Sequence, residues 1–436
     1  MKKFSSALAL AAAMGLPATG MAAEVDFGAE FEVNGYAVDM DTGAEDGNGN
    51  SIDEVRGFQQ RAVLNMNMKG AGGVSFHSGV LLSGDTWSGD NHVTPQAGTT
   101  GDAAGVTGSS DNGGGGDDVR LDHAYVQVPM LGGVVRTGRM KASWANCFLA
   151  CDDRRDRIQY LTRLGNTTVF GIYDKRQEGN LNAPEDDGDM WLGGFIGNYA
   201  GWTAGSLFIY WNGEEDASAD NAGIGTYALT DVKLIAPYVK GAAGPVDLEF
   251  GLNYFFGGSD ASVFQDTHTS EFIRAGFDAG PVLIEGQVVA VQSGGLVAPG
   301  FDTFSSLLHN SPDHDQSPTS VAGVGSVGIA DTTDELESQL FALRVTGNVT
   351  DQWKLMGAVG GFQYENDSDN VSALDIDGSG TFFDAQVHYA VTEDTTVSAT
   401  YGMLQGDDIQ AGFTSAAAAD DEADPSAMSL NLNTRF

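Results

Sequence analysis

From Val25 onward, apolar and polar positions alternate along the chain with a period of two. In the stretch from Val246 to Tyr254, Val246, Leu248, Phe250, Leu252 and Tyr254 share one face, and Asp247, Glu249 and Asn253 fall on the other. Phe383, Ala385, Val387 and Tyr389 likewise oppose Asp384, Gln386 and His388. A helix would repeat every 3.6 residues, so these segments are strands with two unlike faces. Eighteen such segments can be marked, among them 53–69, 119–130, 134–144 and 157–164. Their connections alternate in kind. Short turns such as Gly70 to Gly73, Gly165-Asn166 and Glu393-Asp394 follow every second strand, and long polar loops such as Ser88 to Asp118 and Gly294 to Glu337 lie between. A β-sandwich shares the period but not this beat. A transmembrane barrel has both. The pattern predicts an all-β, antiparallel transmembrane barrel of 16–18 strands, with short periplasmic turns and long extracellular loops.

The first residues stand outside that pattern. Lys2 and Lys3 precede an apolar run from Phe4 to Leu16, and Pro17 to Ala23 ends in small residues. This is the layout of a secretory signal peptide, cleaved after Ala22 or Ala23. No later run approaches the roughly 18 apolar residues of a membrane-spanning helix. Residues 1–22 are therefore read as the signal and 23–436 as a single barrel domain.

Charge narrows the partners. Sixty acids against 21 bases give a net charge of −39. Nucleic acid is excluded as a partner, because phosphate contacts need clustered Lys and Arg. The acids concentrate in Gly/Ser/Asn-rich connections, which reads as a solvated, self-repelling loop surface. Loops that bind Ca2+ or Mg2+, or life at high salt, are the alternatives. Asp46-Gly-Asn48-Gly-Asn50 has the alternating oxygens of a calcium loop but lacks its later glycine and glutamate. No HExxH, CxxCH or GxxxxGK[ST] pattern occurs. Ser75 and His77 are the nearest Ser–His pair, on one strand and with no evident third partner. No cofactor and no chemical step are expected.

The stretch from Arg120 to Arg163 concentrates the remaining candidates. A strand, a Leu131-Gly132-Gly133 turn and a second strand lead to Cys147 and Cys151, then to Asp152, Asp153, Arg154, Arg155, Asp156 and Arg157. Two cysteines in an exported chain fit one disulfide; two buried thiols are the alternative. Parity sets Gln59, Arg61, Asn65 and Asn67 against Leu64, Met66 and Met68, making Arg61 a lumen cation. Arg136 and Arg139 have opposite parity, so a regular strand cannot point both inward. Arg136 is assigned to the periplasmic rim.

Ala124-Tyr125-Val126, Gly132-Gly133 and Gly138-Arg139 resemble the centre of Gram-negative general porins, and Arg61 before Lys69-Gly70 resembles a wall arginine of that family. The resemblance implies that residues 145–156 are the inward-folded third loop. Asp152, Asp153 and Asp156 would face Arg61 and Arg139 across an eyelet, with Arg154, Arg155 and Arg157 adding cations. Charged rings of this kind select permeants by size and field. The loop is shorter than usual in that family, its acids follow a different motif, and the cysteines are not part of the pattern. Phe436, ending a terminal alternating strand, resembles the assembly signal of outer-membrane proteins. The resemblance further implies a homotrimer in contact with outer-membrane lipid and lipopolysaccharide, passing small hydrophilic solutes and ions. A substrate-specific or partner-sheathing barrel would share these features.

Overall fold

The structure is a computed structural model that describes residues 24–39, 54–86, 119–177, 188–213, 230–258, 267–298, 300–308, 336–366, 376–407 and 424–436. The proposed signal peptide and the Asp46 to Asn50 motif lie outside the described residues. Alternation produces strands throughout. The first nine are β1 (Glu24–Asp39), β2 (Glu54–Lys69), β3 (Ser75–Thr86), β4 (Arg120–Met130), β5 (Gly133–Trp144), β6 (Ala150–Leu164), β7 (Thr167–Gln177), β8 (Gly188–Tyr199) and β9 (Trp202–Gly213). They are followed by β10 (Thr230–Ala243), β11 (Val246–Phe256), β12 (His268–Asp278), β13 (Val282–Gln292), β14 (Leu336–Asn348), β15 (Trp353–Asn366), β16 (Ile376–Ala390), β17 (Thr395–Asp407) and β18 (Ser426–Arg435). Each strand pairs with its neighbours in sequence, and β1 also pairs antiparallel with β18. The sheet is a closed barrel of 18 strands, at the upper end of the expected range. Closure satisfies backbone groups that no water could reach inside a bilayer.

The two faces differ as the alternation requires. Phe27, Leu64, Ile273, Phe341, Met428 and Leu430 are exposed on the outside, where lipid would cover them. Glu32, Asn34, Gln59, Asn253, Arg274 and Asp384 are buried on the inside. The terminal residue joins the closure: Phe436 N–H donates to Ala29 O at 2.8 Å, and Ala29 N–H to Phe436 O at 3.1 Å.

Two connections depart from the sequence reading. β6 begins at Ala150, so the third loop is only residues 145–149 and Asp152 to Arg157 stand in a strand. Charged residues are poor strand formers in isolation, but here they meet complementary neighbours across the ladder. Arg139 lies opposite Asp156 on one side, and Arg157 opposite Asp174 on the other. The second departure is the connection after β13, read as a polar loop. Its described residues 294–298 and 300–308 fold into the lumen and bury Val297, Phe301, Phe304, Leu307 and Leu308 completely.

Candidate functional site

The inner wall from β1 to β7 carries a charge network. A bulge in the β3–β4 pairing between Gly79 and Val80 leaves Asp122 without a directly opposed partner residue. Asp122 is buried and receives Arg154 Nη2 at 2.6 Å and Nε at 3.0 Å. Arg61 Nη2 stands 3.5 Å from the same carboxylate, and Arg61 Nη1 is 3.8 Å from Glu30. Arg154 also pairs with Asp152 at 2.8 Å, and Asp152 with Lys141 at 3.3 Å. Further along β6, Arg157 grips Asp174 of the adjacent β7 with two bonds of 2.9 and 2.7 Å. Paired forks of this kind are the strong, geometrically fixed form of the ion pair.

The other side of the lumen is filled by chain. The third loop is a five-residue turn in which Ala145, Asn146 and Cys147 all have positive φ. Cys147 and Cys151 are joined as a disulfide. This turn drives Phe148 into the barrel, where it packs on Phe272 and Phe301 with ring centroids 4.7 and 4.9 Å apart. The inward segment after β13 meets it there: Ala298 N–H donates to Phe148 O at 3.0 Å. Asn253 ties both loops to the wall, donating to Phe148 O, Leu296 O and Ser270 Oγ at 2.9–3.3 Å.

The tip of the inward segment is latched by two lumen arginines. Arg344 Nη1 binds Asp302 Oδ2 at 2.6 Å, while its Nε and Nη2 bind Glu285 Oε2 at 2.9 Å. Arg274 Nη2 donates to Asp302 O at 2.8 Å and to Gln287 Oε1 at 2.9 Å. Phe304 lies against both guanidinium groups, with its ring centroid 3.8 Å from Arg344 and 4.9 Å from Arg274. Burial pushes the Asp302 carboxyl up, but the charges of Arg344 and Arg274 outweigh it and hold the group below the usual carboxylate range. Past the tip, Ser306 N–H donates to the Asp384 carboxylate at 3.0 and 3.1 Å. Gly402 makes that approach possible, since a Cβ there would overlap the Ser306 hydroxyl.

The expected site residues are thus brought together only in part. Arg61, Arg154 and Asp152 share one network. Arg157 turns to Asp174, Arg155 pairs with Asp153, and Arg139 lies 3.7 Å from Asp156. Asp152, Asp153 and Asp156 are wall residues that pair with their strand neighbours, not the edge of a loop facing the wall. Arg136 lies on the lumen face at the short-turn rim, its Nε donating to Gln127 Oε1 at 2.8 Å. The sequence reading passed over Asp122, Arg274, Asp302 and Arg344. Leu296, Val297, Phe301, Phe304, Leu307 and Leu308 were the available signal, an apolar cluster inside a loop otherwise read as polar. Among the described residues no group of three or more His, Cys, Asp or Glu is placed to hold a metal ion.

No family model matches the sequence, and no curated protein matches it. Solved structures do match in shape. The outer-membrane protein OpdK of Pseudomonas aeruginosa aligns with TM-score 0.56 at 12% identity, over 94% of this chain and 99% of that one. OpdO of the same organism gives 0.56 at 10%, over 95% and 97%. OpdQ gives 0.52 at 8%, over 94% and 98%. At such identities the likeness is one of fold, and it agrees with the apolar outer face and closed ladder. The chain has the fold of these outer-membrane β-barrels.

Proposed function

We propose that this barrel is a passive channel for small hydrophilic solutes and ions, narrowed by two inward loops. The observation that carries the reading is the inversion of the two faces: fixed charge inside, large apolar side chains outside. The passage runs along the β1–β7 wall, where Arg61, Asp122 and Arg154 set the field, while Phe148 and residues 294–298 and 300–308 fill the opposite side. A filled lumen of this kind favours a selective channel over an open general pore, because permeants pass one charged wall at close range. The outer-membrane lipid, lipopolysaccharide and homotrimer contacts implied by the porin resemblance belong to the same proposal, and cross-linking of the detergent-extracted protein tests the trimer.

Reconstitution in a planar bilayer under a KCl gradient tests the channel. Stepwise ohmic openings are expected, with a reversal potential whose sign reports the net field of the charged wall. A folded barrel that inserts without conductance would overturn the proposal.

A further inference from the structure

A second polar cluster sits in the lumen at the short-turn end, away from both loops. The ladder sets Asn67 beside His77 and His77 beside Tyr125, and sets Ser75 beside Gln127 and Gln127 beside Arg136. Ser75 Oγ lies 2.9 Å from His77 Nε2. On the other side of the ring, His77 Nδ1 lies 2.7 Å from Asn67 Oδ1. An amide oxygen accepts only, so His77 carries its proton on Nδ1 and turns the Nε2 lone pair toward the serine hydroxyl. Tyr125 stacks on the imidazole at 4.8 Å and 17°, fixing the ring plane. The cluster opens on a cavity of about 380 Å³ that Tyr125, Gln127 and Arg136 also line.

A hydroxyl, a base aligned on it and an acceptor that fixes the base's tautomer are the parts of an activated nucleophile. Structural hydrogen bonds alone would not require the order Ser–Nε2, Nδ1–amide oxygen, nor a cavity beside the hydroxyl. We propose that Ser75, His77 and Asn67 form an esterase site that hydrolyses short acyl esters of hydrophilic alcohols at the periplasmic mouth. Ser75 Oγ attacks the ester carbonyl carbon, and its proton passes to His77 Nε2. The tetrahedral oxyanion forms in a cavity made positive by Arg136. Its collapse breaks the bond to the alcohol, which leaves with the proton from Nε2. Water then attacks the acyl-serine and gives a proton to His77, and Ser75 recovers that proton as the carboxylic acid departs. Asn67 is a positioning residue. The site is independent of whether the barrel conducts.

The test uses the full-length barrel in detergent, with p-nitrophenyl acetate as substrate and diisopropyl fluorophosphate as label. Peptide mapping is expected to find the label on Ser75. Ser75→Ala and His77→Ala are expected to lower hydrolysis by about 100-fold or more. Asn67→Ala should lower it about tenfold, and Asn67→Asp, which keeps the acceptor, should restore it. Each variant is first shown to keep the heat-modifiable gel mobility of a folded barrel. Labelling of the unaltered protein needs no variant, so absence of the label from Ser75 overturns the proposal. Hydrolysis unchanged in a folded Ser75→Ala barrel overturns it equally.

Discussion

The two sides of the lumen use charge differently. From β1 to β7, ion pairs run along the wall from strand to strand, and Arg61, Asp122 and Arg154 are joined there in one buried network. From β9 to β17 the inner face is largely apolar or small, with Leu234, Ala236, Phe272, Ala342, Ala358 and Leu404 buried under residues 145–149, 294–298 and 300–308. Charge on that side is kept for holding chain: Arg274 and Arg344 clamp Asp302 and its backbone. The size and polarity of inward side chains therefore decide where a loop folds in and where a passage stays. Apolar burial supplies the force, at about 1.5–3 kcal/mol for each large side chain removed from water, and the arginines supply the register.

Removing the fill is the strongest way to break the comparison. Replacement of residues 296–308 by a short Gly-Ser linker is expected to raise single-channel conductance at least about twofold, since pore width limits ion flow. An unchanged conductance would mean that the segment does not border the passage.

The latch comes next. Arg344→Met removes the shortest partner of a buried pair and leaves Asp302 with only the charge of Arg274 and the Phe304 N–H, at a cost toward the lower end of about 3–5 kcal/mol. The inward segment should then become cleavable by chymotrypsin at Phe301 or Phe304, and conductance should fluctuate between two levels. Acid should act on the same contact. A carboxyl held below its unfolded value contributes stability above that value and loses it as pH falls through the folded one. The segment should thus stay protected at pH 5 and loosen only below the ordinary aspartate value of about 3.9. Loosening already at pH 6 would assign the latch to other groups.

This division was half legible in the sequence. Period two and the alternation of short and long connections contained the barrel, because a strand needs only local pattern to declare its faces. Arg61 declared itself the same way. The latch did not, because Asp302 and Arg344 are far apart in sequence and meet only when the loop turns inward. Asp122 stayed hidden for a different reason: a bulge adds a residue to β4 there and breaks the period of two. Asp152 to Asp156 read as a loop because charge runs are most often solvated, and their strand partners lie on neighbouring strands. The Ser75–His77 pair was visible, but Asn67 comes beside it only through the β2–β3 register.

The charged side can be sharpened by Arg154→Gln. Asp122 would keep Arg61 at 3.5 Å but lose its shorter partner. The wall then gains net negative field, and the reversal potential in a tenfold KCl gradient should move toward cation preference by on the order of 10 mV. Movement toward anion preference would place the passage elsewhere in the lumen.

The smallest effect is expected where the sequence drew most notice. The disulfide closes a ring of five residues, and the chain-entropy relation gives such a ring only about 2 kcal/mol. Phe148 is meanwhile held by its packing on Phe272 and Phe301, by Ala298 N–H and by Asn253, all of which survive reduction. A Cys147→Ser, Cys151→Ser double variant should therefore conduct within about a fifth of the original level, the loss falling on a turn that other contacts still hold. The same reasoning gives the opposite outcome its meaning. A large rise in conductance would show that three residues of positive φ hold Phe148 in the lumen only while the ring is closed. The third loop would then depend on its own covalent staple, and the filled side would consist of two independently held parts instead of one packed unit.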